Sequence, residues 1–131
     1  MHPKQEALEE KMSLLCQSLD NHLEDLYGSH YKIHPNRMKR GKGSNPSFDG
    51  LFSTSLAFTL GYGSKYGRGY VVNVDIRTLE KVSPYDMVKI RAEAFSYISR
   101  NLKTFIPGHE LEIVQDGEVM KVVGDFSLGE V

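Results

Sequence analysis

The sequence predicts an α+β fold in which the elements run helix, strand, strand, helix, strand, strand. The strands form a four-stranded, mostly antiparallel sheet with two helices packed on one face. Three observations carry this expectation. Residues 4–27 and 84–104 repeat apolar side chains every three or four positions, the period of a helix with one buried stripe. Residues 51–60 and 70–77 alternate apolar and polar side chains, as half-buried antiparallel strands do. Residues 110–115 and 118–123 flank Asp116-Gly117, the strongest short hairpin signal. A chain of 131 residues has room for one core of normal size, so residues 1–131 are read as a single domain.

In the first helix, Leu8, Met12, Leu15, Leu19, His22 and Leu26 trace the stripe, widened by Leu23. Glu6 lies in the first turn, where the helix dipole favours an acid, and Gly28 is a natural stop. The stripe reads as a core face, with a dimer seam as the alternative. A loop from Gly28 to Gly50 follows, long for a compact domain, and such loops carry function or lack order. A short strand at His30–His34 is compatible with the pattern, ended by Pro35. Asn45-Pro46 and Asp49-Gly50 read as turns, and Tyr31, Ile33, Met38 and Phe48 are apolar enough to pin the loop down.

The first strand places Phe52, Thr54, Leu56, Phe58 and Leu60 on one face and Ser53, Ser55, Ala57 and Thr59 on the other. A link with four glycines, Gly61–Gly69, leads to the second strand. There Tyr70, Val72, Val74 and Ile76 face one way, and Val71, Asn73, Asp75 and Arg77 the other. Ser83-Pro84-Tyr85-Asp86 starts the second helix with an N-cap serine, a proline at the first position and an acid two residues on. Its stripe is Val88, Arg91, Phe95, Ile98, Leu102 and Phe105, filled out by Met87, Ala92 and Ala94. The stem of Arg91 covers apolar surface while its head reaches water. Pro107-Gly108 ends the helix, and the tail from Asp125 to Val131 is expected to fray or lie at an edge.

The net charge of −1 hides a segregation. Residues 1–27 carry −4, residues 28–105 carry +8 and residues 106–131 carry −5, which sum to that value. A basic middle between acidic ends points to an anionic partner or to self-neutralisation. Much of the positive charge lies in Tyr31–Gly50, which has Lys32, Arg37, Lys39, Arg40 and Lys42 against the single acid Asp49. The glycine link adds Lys65 and Arg68 among Tyr62, Tyr66 and Tyr70. Cations with interspersed glycines approach phosphates, and tyrosines between them stack on bases. If the two loops meet at one end of the sheet, these residues form one surface.

Other chemistry finds less support. Gly41-Lys42-Gly43-Ser44 lacks the upstream glycine, strand and helix of a nucleoside-triphosphate loop. The Gly61–Gly69 glycines miss the dinucleotide spacing and join two strands rather than a strand and a helix. His30 and His34 stand at a metal-ligand spacing that Pro35 disrupts, with His22 near in sequence. Cys16, the single cysteine, lies mid-helix beside the stripe and reads as inert. Asp75 and Arg77 share a strand face and read as pairing with each other or with neighbouring strands. No metal or cofactor is expected.

The N-terminus has acids where a signal peptide needs an apolar core, and no stretch is apolar enough to span a bilayer, so a cytoplasmic location is expected. These residues point to a binding domain for RNA or another phosphate-bearing ligand, held by Arg37, Lys39, Arg40, Lys42, Lys65 and Arg68 with Tyr62 and Tyr66. A homo-oligomeric structural or adaptor protein, for instance a homodimer, and a small enzyme with its pocket under the 28–50 loop, are the alternatives.

Overall fold

The structure is a computed structural model that describes residues 3–39, 42–43 and 49–126. It has two helices and four strands in the expected order: α1 (Pro3–Tyr27), β1 (Phe52–Thr59), β2 (Gly69–Ile76), α2 (Pro84–Phe105), β3 (Leu111–Asp116) and β4 (Val119–Gly124). The sheet order is β1-β2-β4-β3, and all three strand pairings are antiparallel. β4 therefore returns from its hairpin to sit between β2 and β3. The two hairpins join over a short seam, Tyr70–Val72 against Val122–Met120.

Both helices cover one sheet face. Phe52, Val72, Ile113, Met120 and Val122 from that face meet Leu15, Leu19 and Leu23 of α1 and Ile90, Ala94 and Ile98 of α2 in one core. Burying side chains of this size is worth about 1.5–3 kcal/mol each before entropy is charged against it. The helix start at Ser83 is as expected, with its side chain accepting from the Asp86 N–H at 3.1 Å.

The buried faces differ from the stripes in detail. In α1 the burial runs through Leu8, Met12, Leu15, Cys16, Leu19, Asp20 and Leu23, while Leu26 is exposed. The Glu24 carboxylate accepts from the Leu51 N–H at 2.9 Å, which sets Glu24 beside the start of β1. Leu26 therefore lies past the end of the sheet. His22 turns to α2, where Nε2 lies 2.8 Å from Glu93 Oε2 and the ring stacks on Tyr97. In α2 the buried ridge is Ile90, Ala94, Ile98 and Leu102, and Val88 is exposed. Val88, Arg91 and Phe95 instead flank a groove with Gln115 and Met120, and the Arg91 guanidinium donates to the Glu118 carbonyl at 2.8 Å.

No strand forms at His30–His34. That segment instead docks on the end of β2, the His34 N–H donating to the Arg77 carbonyl at 2.7 Å. Phe58 and Leu60 are each 54 % exposed rather than buried. Phe58 meets Tyr70 edge-on at 5.5 Å, and Tyr70 meets Phe126 the same way at 5.2 Å. On the face away from the helices, Ser55, Ala57, Asn73 and Asp75 are exposed, and Asp75 pairs with Arg77 at 3.2 Å. The expected Asn45-Pro46 turn and the tail beyond Phe126 lie outside the described residues.

Candidate functional site

The basic loop is held at its base by polar groups. The Arg37 guanidinium donates from Nε to the Gly50 carbonyl at 3.1 Å and from Nη2 to the Asp49 carbonyl at 2.9 Å. The Gly50 N–H donates to the Met38 carbonyl at 2.7 Å, and Met38 and Asp49 form an isolated parallel bridge. Asp49 is 2 % exposed, and its Oδ2 accepts from the Gly43 N–H at 3.0 Å. Gly43 is required for this approach, because a Cβ there would meet Asp49 Oδ1 at 2.2 Å. Among the described residues, Arg37, Met38 and Gly43 are thus tied to Asp49 and Gly50 at the base of the loop. Of the four apolar residues expected to pin the loop, Tyr31 packs on the core, Ile33 is half-buried, Met38 is 53 % exposed and contributes its backbone, and Phe48 lies outside the described residues.

This arrangement divides the basic residues by role. Arg37 spends its guanidinium on backbone carbonyls, whereas Lys39 and Lys42 point to solvent. Arg40 lies outside the described residues. The neighbour of this loop is the connector from Arg77 to Asp86. The Lys32 N–H donates to the Glu80 carboxylate, and the Tyr31 hydroxyl donates to Asp86 Oδ2 at 2.5 Å. The bond to Asp86 holds the Tyr31 hydroxyl above its ordinary pKa. Lys32 and Lys81 are exposed beside this connector. The pattern of the sequence contained no signal for this contact, which joins residues far apart in the chain through the Glu80 and Asp86 carboxylates.

The glycine link 61–69 lies elsewhere. The 28–50 loop enters the first residue of β1 and the link leaves its last, so the two flank opposite ends of an eight-residue strand, about 25 Å apart. They do not converge. Lys65, Arg68, Tyr62 and Tyr66 are exposed on the link, with Tyr62 at 91 % and the Lys65 ammonium 5.0 Å from the Tyr66 ring centre. The link is anchored by Lys121, whose Nζ reaches Asp116 Oδ2 at 2.5 Å, the Gly67 carbonyl at 2.7 Å and Ser64 Oγ at 3.2 Å. The Ser64 hydroxyl also donates to Asp116 at 2.5 Å. The Lys121 ammonium and the Ser64 hydroxyl hold the Asp116 carboxyl below its usual value. A buried lysine at the centre of β4 was not foreseen.

Cys16 is buried, and desolvation together with the neighbouring Asp20 pushes its thiol up to about 12, so it stays protonated at neutral pH. No group of three or more metal-binding side chains occurs among the described residues. Among those residues no helix is long and apolar enough to cross a membrane.

The fold defines a two-helix, four-stranded α+β domain with a basic loop pinned at its base. The chain belongs to a family described as an uncharacterised protein, whose model matches residues 3–124. It is 43 % identical over 112 residues to an uncharacterized protein of Borreliella burgdorferi, covering 86 % of this chain and 88 % of that one. No solved structure matches it.

Proposed function

We propose that this protein binds an anionic partner, RNA or another phosphate-bearing ligand, through the exposed lysines of the 28–50 loop and the connector beside it. One observation carries the reading: Asp49, Glu80 and Asp86 are buried or engaged with neighbouring groups, and the lysines beside them face out. Asp49, the one acid of Tyr31–Gly50, is 2 % exposed and holds Gly43. Glu80 and Asp86 are engaged with the Lys32 N–H and the Tyr31 hydroxyl. Lys39, Lys42 and Lys81 are exposed. Cations held on a fixed base attract phosphates with little ordering cost on binding.

The link at 61–69, with Lys65, Arg68, Tyr62 and Tyr66, then serves as a second contact for a ligand long enough to span β1, or as none at all. The test is anisotropy of a fluorescent single-stranded RNA oligonucleotide, with inorganic polyphosphate as competitor, across a salt series. The variant K39A/R40A/K42A should weaken binding and lower the salt slope by about 2, three phosphate contacts each contributing about 0.7. K65A/R68A should leave binding of a four-nucleotide RNA unchanged. Absence of binding at low salt by the unmutated protein refutes the proposal.

A further inference from the structure

The two edges of the sheet are built differently. β3 carries Glu112, Gln115 and Asp116 within six residues, and charge on an edge strand discourages another strand from joining it. β1 is eight residues long, FSTSLAFT, without charge, proline or glycine. Charge and proline, two devices that blunt an exposed edge, are thus missing from the strand itself. The register decides which backbone groups face outward. Leu51 stands opposite Arg77 in the register that pairs Phe52 with Ile76, and the Arg77 N–H donates to the Leu51 carbonyl at 2.6 Å. Residues 53, 55, 57 and 59 therefore bond to β2, and the N–H and C=O groups of Thr54, Leu56 and Phe58 point away from the sheet. Among the described residues no strand pairs with that edge.

A groove of about 380 Å³ runs between this edge and α1. The helix lies antiparallel to β1: Glu24 holds the Leu51 N–H, and Asp20 accepts from the Thr54 hydroxyl at 2.7 Å. Its earlier turns therefore lie toward Phe58. The α1 wall of the groove presents Glu9, Ser13 and Gln17.

We propose that the β1 edge takes an extended, basic segment of a partner protein as a fifth strand. Residues of the added strand opposite Thr54, Leu56 and Phe58 would place their side chains on the helix-bearing face, against that wall. Glu6 and Glu10 stand beside Glu9 in the exposed first turns of α1, within a segment of net charge −4. Lysine or arginine at alternate positions complements them. The intervening side chains lie beside Ser53, Ser55 and Ala57, where valine or threonine has room. A second copy of this chain fits the edge less well, because two-fold pairing about Leu56 sets the acidic α1 beside its own mate. This surface is separate from the basic loop, and the two stand or fall independently.

The test is a titration of ¹⁵N-labelled protein with an acetylated, amidated peptide of alternating lysine and valine, seven residues long, and with its glutamate counterpart. The lysine peptide at millimolar concentration should shift the amides of Thr54, Leu56 and Phe58, and the glutamate peptide should not. Glu9→Lys, at an exposed helix position, should weaken binding roughly tenfold. Phe58→Pro removes an outward N–H without breaking the β1–β2 ladder and should abolish it. Should that variant fail to fold, Glu9→Lys decides. The proposal is overturned by no shift at those three amides, by equal binding of the glutamate peptide, or by a dimer in sedimentation with these amides already protected from exchange.

Discussion

Arg37 offers the sharpest separation of a structural cation from a binding one. Its guanidinium reaches two backbone carbonyls, Gly50 at 3.1 Å and Asp49 at 2.9 Å, and both residues are buried. A hydrogen bond from a charged donor contributes about 1.5–3 kcal/mol, and a buried carbonyl left without a donor keeps its desolvation cost. Arg37→Ala removes both bonds, and after discounting for water reaching the part-buried site it should cost about 3 kcal/mol. Arg37→Lys keeps the charge but replaces a planar fork with a point donor that can meet one carbonyl, so it should cost about half that. Lys39→Ala, at an exposed position, should stay within about 0.5 kcal/mol of the parent. Urea unfolding followed by far-ultraviolet circular dichroism reads these differences. With a slope near 1.5–2 kcal/mol/M, Arg37→Ala should move the midpoint down by roughly 1.5–2 M. RNA binding, measured far below the midpoint, should reverse the order: nearly unchanged in Arg37→Lys and weakened in Lys39→Ala. If Arg37→Lys unfolds at the parental urea concentration, the pinned base is refuted. If Lys39→Ala is as destabilising as Arg37→Ala, the cations of the loop are not free for a ligand.

Two further outcomes probe the anchored link. Gly61 has φ of +70°, and a Cβ there would lie 1.9 Å from the Gly67 carbonyl oxygen, whereas Gly63 has φ of +82° and open space around it. Gly63→Ala should cost about 1 kcal/mol for the left-handed backbone alone, and Gly61→Ala clearly more, because the link must also open; differential scanning calorimetry ranks the two. Asp116 is held below its ordinary carboxyl value of 3.8 by Lys121 and Ser64. Its unfolded form binds a proton first on acidification, so its contribution is full above that value and is lost as pH falls from there through the native pKa. Asp116→Asn should therefore flatten the acid limb of the stability profile below pH 4, with little change in its slope near neutrality.

The periodicities of three to four and of two were enough to define the six elements and their order, because burial of one face is a local property of each segment. The Asp116-Gly117 turn and the Ser83 cap were legible for the same reason: each is satisfied by neighbours in the chain. The exposed lysines of the loop were also readable, since a cation among glycines needs no tertiary contact to stay in water. The separation of the two basic loops was implied as well, since they flank the two ends of the eight-residue β1. Two features were settled by packing. Lys121 became a buried anchor because the link folds over β4, and its alternation in the strand was that of an ordinary exposed residue. Arg37 and Lys39 are both cations two positions apart, yet one is consumed by the carbonyls of Asp49 and Gly50 and the other is not. Charge is written in the residue type, but whether that charge is available depends on which backbone groups the fold leaves in need of a donor.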